Sequence, residues 1–259
     1  MINENPIGLF DSGIGGTSIW KEVHALMPYE NTIYLADSKN APYGLKSKDE
    51  IIALSCKNTE FLLENNCKII VVACNTATTN AIKELRAKYD VPFIGIEPAI
   101  KPAALQSKTQ KIGILATKGT LNSELFHKSV ANHPDVTIIE QIGHGLVQLI
   151  ENGDVNSAEM EELLKSYLNP MVEKNIDYLV LGCSHYPYLI PQIKKIIPPQ
   201  IKIIDSGEAV AKQTQKILEQ SHLLNLTNEK SSQIFYTNSE PEVLKTILGN
   251  CENVIYKNF

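Results

Sequence analysis

Short apolar runs alternate along this chain with stretches in which apolar residues recur every three or four positions. That is the pattern of strands alternating with helices. PIGLF leads into the glycine turn DSGIGG and a helix through TSIWKEVHALM, where Ile19, Val23, Leu26 and Met27 fall on one face. NTIYLAD predicts the next strand. Ser47 to Glu64 predicts a helix, with Ser47 placed three residues before Glu50 as a capping box. KIIVVA is nearly all apolar, as suits a parallel strand covered on both faces. The helix TTNAIKELRAKY and the strand VPFIGIE follow.

The pattern then restarts. KIGILATKGT has the shape of PIGLFDSGIGG, and VTIIEQ, the helix-like GLVQLIENG and SAEMEELLKSYLNPMVEKN, and the strand YLVLGC come after it. IKIIDSGEAVAKQTQKILEQ predicts strand, turn and helix, and QIFYTNS and NVIYKNF predict late strands. Ile7-Gly8 aligns with Ile112-Gly113, and Cys74 with Cys183, at nearly the same offset. This coarse repeat predicts an α/β fold of two similar domains with central, mostly parallel sheets, related by a pseudo-twofold. The break is expected near residues 98–102, in the proline-bearing EPAIKPA, with the tail after Ser206 returning to the first half. The expected domains are 1–98 plus 208–259, and 99–207. Open α/β sheets bind ligands at the carboxyl ends of their strands, so the active site is expected in the cleft between the domains.

Composition narrows the class. The 259 residues suffice for one large or two modest cores. A net charge of −5, without a Lys/Arg block, argues against a nucleic-acid partner. MINENPIGLFDSG has no basic region ahead of a long apolar run, and no stretch reaches the roughly 18 apolar residues that span a bilayer. A cytoplasmic protein with no membrane attachment is expected. The five cysteines, Cys56, Cys67, Cys74, Cys183 and Cys251, form neither a C-x-x-C nor a zinc-like spacing, so reduced thiols and no metal site are expected.

Two of those cysteines stand out. Cys74 and Cys183 each end an apolar strand-like run, after Ala73 and Gly182, and each precedes polar residues and a helix-like segment. A helix N-terminus supplies N–H groups and positive dipole charge, which favour thiolate and bind anions. Cys56, Cys67 and Cys251 fit the commoner role of small buried hydrophobes. Asn75 and Thr76 surround Cys74 with donors. His185, two residues from Cys183, allows a thiol–imidazole pair.

Other segments are ambiguous on their own residues. The turn after PIGLF could cradle an anion or simply allow tight geometry. Asp11, at the strand end, could orient a base or hold an amino group. Pro42-Tyr43-Gly44 is a turn by default, or a loop closing on a ligand. Glu151 lies near a helix C-terminus, where the dipole disfavours its charge.

FDSGIGG, the Asp37–Gly44 segment with PYG, ACNTAT, IGIEPAIKPA, LVQLIENG and LGCSHYP, in that order, closely resemble the glutamate racemases of the aspartate/glutamate racemase superfamily. The resemblance covers nearly the whole chain. One departure is Ser184, where the family usually has Thr. The resemblance implies interconversion of L- and D-glutamate without cofactor or metal, D-glutamate supplying bacterial peptidoglycan, and commonly a homodimer. It implies that Cys74 and Cys183 are the two acid/base residues, with Asp11 supporting Cys74, and His185 and Glu151 supporting Cys183. Substrate contacts would come from Asp11, Ser12, Pro42, Tyr43, Gly44, Asn75, Thr76, Ser184 and His185, with Thr117 and Thr120 as additions. Inverting Cα requires removal of a proton from one face and delivery to the other, which two opposed thiols do more simply than one. Racemisation of another acidic amino acid, a different reaction on a dicarboxylate, simple ligand binding, and a redox dithiol remain the alternatives.

Overall fold

The computed structural model describes residues 4–227, 229–251 and 253–259. Residues 1–3, Asn228 and Glu252, which the expected first domain includes, lie outside that description. Two sheets organise the chain. The first combines β1 (Ile7–Asp11), β2 (Thr32–Ala36), β3 (Ile69–Val72) and β4 (Phe93–Gly95) with β9 (Gln233–Thr237) and β10 (Val254–Tyr256), in the order β10-β9-β2-β1-β3-β4. The second holds β5 (Lys111–Ala116), β6 (Thr137–Ile142), β7 (Tyr178–Gly182) and β8 (Lys202–Ile204), in the order β6-β5-β7-β8. The order β2-β1-β3-β4 is repeated as β6-β5-β7-β8, and every described pairing is parallel. The two similar parallel-sheet α/β domains predicted by the internal repeat are therefore present.

The predicted helices form α1 (Thr17–Leu26), α2 (Lys48–Glu64), α3 (Asn75–Lys88), α7 (Leu146–Glu151), α8 (Ala158–Glu173) and α10 (Gly207–Gln220). Ser47 and Glu50 close the expected capping box on α2. On α1, Ile19 and Val23 are buried, but Leu26 is 38% exposed. The helix ends there, and Met27 leaves it with φ −129° and turns into the core instead.

Four helices were not anticipated. The proline-bearing break contains α4 (Ile100–Gln106). Pro102 is tolerated because it lies in the first turn, where an N–H has no intrahelical acceptor. Ile100 and Ala103 pack into the core of the second sheet with Ile112, Ile114 and Val180. The short α5 (Lys118–Leu121) and α6 (Glu124–Ala131) follow β5. The helix-like segment expected after Cys183 is α9 (Ile190–Ile196), between β7 and β8, and the fourth unanticipated helix, α11 (Glu242–Ile247), lies between β9 and β10. After β8 the chain returns: α10 packs on α1, and β9 pairs with β2. No helix among the described residues is long and apolar enough to cross a membrane.

Candidate active site

The central strands of each sheet end facing the other domain. β1 ends at Asp11, followed by Ser12, and its neighbour β3 leads into Cys74; β5 leads into Thr117, and its neighbour β7 into Cys183. In both domains these adjacent ends are the point where strand order reverses, the usual ligand crevice of an open α/β sheet. Ser12, Pro42, Tyr43, Gly44, Cys74, Asn75, Thr76, Thr117, Val147, Cys183, Ser184 and His185 line one enclosed cavity. Its free volume, about 10 Å³, is room for about one water molecule.

Cys74 is the N-cap of α3, so the helix begins at the very next residue. Its Sγ accepts from the Ala77 N–H at 3.4 Å and donates to Ser12 Oγ at 3.7 Å. Burial pushes the thiol well above its ordinary pKa, and the charge of Asp11 adds to that push. The Ala77 and Ser12 hydrogen bonds pull the other way and lose. Burial and the Asp11 charge thus oppose the preference for thiolate that a helix N-terminus provides. Cys183 differs further. Ser184, His185 and a 3-10 turn (Tyr186–Leu189) separate it from α9. Pro187 in that turn and Pro191, the second residue of α9, lack N–H groups. The Cys183 Sγ lies 3.9 Å from His185 Nδ1 instead.

One hydrogen-bonded network joins the supporting groups. His185 Nε2 meets Glu151 Oε1 at 2.5 Å. Glu151, the last residue of α7, also accepts from the Ile14 N–H at 2.7 Å and from Ser38 Oγ at 2.8 Å, both in the first domain. Ser184 Oγ donates to Asp11 Oδ1 at 2.9 Å, and the Gly13 N–H to Asp11 Oδ2 at 3.1 Å. Burial opposes a charge on His185, but Cys183, Glu151 and Asp11 together hold its pKa well above the ordinary value. Its Nε2 faces Glu151 Oε1 and is also approached by the Gly15 N–H at 3.3 Å. Burial raises the Asp11 pKa despite the opposing pull of His185 and the Ser184 hydroxyl.

Asp11 thus contacts Ser184 and lies 3.9 Å from His185, acting on Cys74 only through its charge. The groups that the resemblance divides between the thiols, Asp11 for Cys74 and His185 with Glu151 for Cys183, meet in one network around Ser184 and His185.

The glycines of the turn have a definite use. A Cβ on Gly13 would overlap the Glu151 carboxylate, and one on Gly15 the His185 ring. Neither has a positive φ, so close approach between domains, not backbone conformation, demands glycine here. Gly44 likewise faces Thr117, where a Cβ would come within 2.8 Å.

The remaining expected residues divide. Asn75 is buried, and both polar atoms of its side chain lack a hydrogen-bond partner. Such orphaned groups are rare unless a ligand or water completes them. Thr76 Oγ1 bonds Thr117 Oγ1 at 2.8 Å and lies 3.3 Å from Thr120 Oγ1, a hydroxyl cluster across the domain boundary. Pro42 and Gly44 line the cavity, but the Tyr43 hydroxyl points away, to Asp37 Oδ2 at 2.5 Å and Asn58 at 3.1 Å. Val147 and Ser38 were not anticipated. Val147 falls inside the singled-out LVQLIENG segment and Ser38 inside Asp37–Gly44, but nothing local to Ser38 signals its bond to Glu151.

Fold and site together define a doubled α/β enzyme with a small-molecule cleft bearing a thiol from each half. The family described as Asp/Glu/Hydantoin racemase matches residues 17–214. The curated glutamate racemase of Herpetosiphon aurantiacus is 42% identical over 241 residues, 93% of this chain and 95% of that one. Escherichia coli glutamate racemase, solved with L-glutamate and the activator UDP-MurNAc-Ala, superposes with a TM-score of 0.86 at 31% identity, covering 98% of both chains. The Francisella tularensis enzyme, solved with D-glutamate, gives 0.84 at 30% identity, also covering 98% of both. This chain belongs to the Asp/Glu/hydantoin racemase family, and is an isomerase of the amino-acid racemase class.

Proposed function

We propose that the protein interconverts L- and D-glutamate by a two-base mechanism, without a cofactor, with Cys74 and Cys183 as the opposed acid and base. The observation that carries this reading is the pair of thiols, delivered from equivalent strand ends of two repeated domains into one enclosed cavity. The glutamate racemases similar to this chain include one solved with L-glutamate and one with D-glutamate, which supports glutamate as the substrate. In one direction a thiolate on one face takes the α-proton, and the thiol on the other face delivers its proton to the carbanion. The roles are then exchanged, so protons balance over the reaction. Asn75, Thr76 and Ser184 offer preorganised donors to the substrate carboxylates. Asp11 orients the substrate ammonium or relays a proton.

The enzyme works with residues 1–98 plus 208–259 as one domain and 99–207 as the other, closing on the substrate. We read it further as a cytoplasmic homodimer that supplies D-glutamate for bacterial peptidoglycan. The decisive experiment incubates the protein with L-glutamate in D₂O without added cofactor. α-Deuterated D-glutamate is expected, and undeuterated or unconverted L-glutamate would overturn the reading. A bacterial strain dependent on added D-glutamate should grow without it when given this chain, and sedimentation velocity should return twice the chain mass.

A further inference from the structure

Asn238 lies beyond residue 214, where the family match ends, and immediately after β9. The register of β9 against β2 pairs Ala36 with Thr237. The residues that follow, Asp37 and Asn238, therefore leave the sheet side by side, and both are buried. The Asn238 side-chain amide donates to Asp37 Oδ1 at 2.5 Å, while its carbonyl oxygen accepts from the Lys39 N–H at 2.9 Å. One side chain thus grips the residues on both sides of Ser38. Ser38 in turn donates to Glu151 Oε2 at 2.8 Å, and Glu151 Oε1 meets the His185 ring. The Asp37 carboxylate that Asn238 holds also receives the Tyr43 hydroxyl at 2.5 Å, whose loop walls the cavity.

We propose that Asn238 is a positioning residue for the reaction, setting Ser38 so that Glu151 is held against His185. The inference rests on the reading that His185 and Glu151 serve the Cys183 thiol. An ordinary structural amide would satisfy one loop carbonyl or one N–H. Asn238 instead uses donor and acceptor on two residues that bracket a third, and that third residue reaches across the domain boundary. Its geometry is rigid because its backbone continues a paired strand, with its own N–H on the Ala36 carbonyl at 3.4 Å.

The test compares Asn238→Ala, Asn238→Asp, Ser38→Ala and the double variant Asn238→Ala/Ser38→Ala, each measured for kcat, KM and pH profile with glutamate, and for melting. Asn238→Asp preserves size and the acceptor for Lys39 but sets a carboxylate against Asp37. Loss of one hydrogen bond to a charged group should lower kcat roughly tenfold in each single variant. Weaker support for the His185 imidazolium lets it deprotonate sooner, so the alkaline limb of activity should move to lower pH. The double variant should be no worse than the poorer single variant, because both changes act through Glu151. A lowered melting temperature with unchanged kcat and unchanged pH limb would overturn the proposal, as would additive losses in the double variant. Should Asn238→Ala not fold, Asn238→Asp with Ser38→Ala decides by the same criteria. Cys183→Ser in the same assay separates the two levels: if it remains active the reading of the site fails, whereas if it alone is inactive the role of Asn238 fails.

Discussion

Individual residues show how little of the site's chemistry is local. Cys74 and Cys183 are legible as strand-end thiols, yet the acidity of Cys74 is set by what surrounds it. Cys74 lies in a dry cavity beside Asp11, and burial with that charge pushes its pKa upward. Less thiolate is present as pH falls, so kcat/KM should rise with pH for the enantiomer that Cys74 deprotonates. Asp11→Asn removes a negative charge that contributes to the upward push. The rising limb should therefore move to lower pH, while the amide, with one acceptor oxygen for the Ser184 hydroxyl and the Gly13 N–H, reduces kcat; a steady-state pH series measures both. Unchanged turnover would remove Asp11 from the chemistry. Cys74→Ser and Cys183→Ser should each abolish racemisation. Each should still exchange the α-proton of one enantiomer with D₂O, followed by proton NMR. Full racemisation by either variant excludes two opposed thiols.

At the level of elements, the turn between β1 and α1 matters most. Its glycines read locally as an ordinary tight turn, and their use emerges only when α7 and β7 bring Glu151 and His185 against them. Gly15→Ala should displace His185, and a misplacement of about 1 Å at a reacting group costs roughly 10²-fold in rate. The expected outcome is a drop of that order in kcat with folding preserved, checked by kinetics alongside circular dichroism. A contrasting change is Ser157→Ala at the N-cap of α8, whose hydroxyl accepts from the Met160 N–H at 3.1 Å. It should cost about 1 kcal/mol of stability and leave turnover unchanged, by chemical denaturation and assay. Helices α4, α5 and α6 were unread because they are short or proline-bearing, too brief for periodicity to register. Their formation depends on tertiary packing, as Ile100, Leu121 and Phe126 in one core illustrate.

The whole molecule is closed. The cavity between the thiols holds about one water, so glutamate enters only if the domains part. Opening must break Ile14 N–H to Glu151, Ser38 to Glu151, and Thr76 to Thr117. Hydrogen exchange at the Ile14 amide should therefore slow when saturating D-glutamate holds the domains together. Equal exchange with and without ligand would exclude closure around the substrate. Closure also excludes water, which would otherwise screen the charges and protonate the carbanion from bulk.

The sequence by itself determined the alternation of strand and helix, the two-domain repeat and the two cysteines, because periodicity and strand-end position are local properties. It also carried the family, since several motifs fall in register along one chain. Tertiary structure alone decided which groups touch. Asp11 meets Ser184, Glu151 meets Ile14 and Ser38, and Asn238 grips Asp37 and Lys39, all across long stretches of chain. It also decided that burial and the Asp11 charge push the Cys74 thiol upward in the closed site. Burial is the sum of everything packed around a group, and no spacing along the chain records that sum.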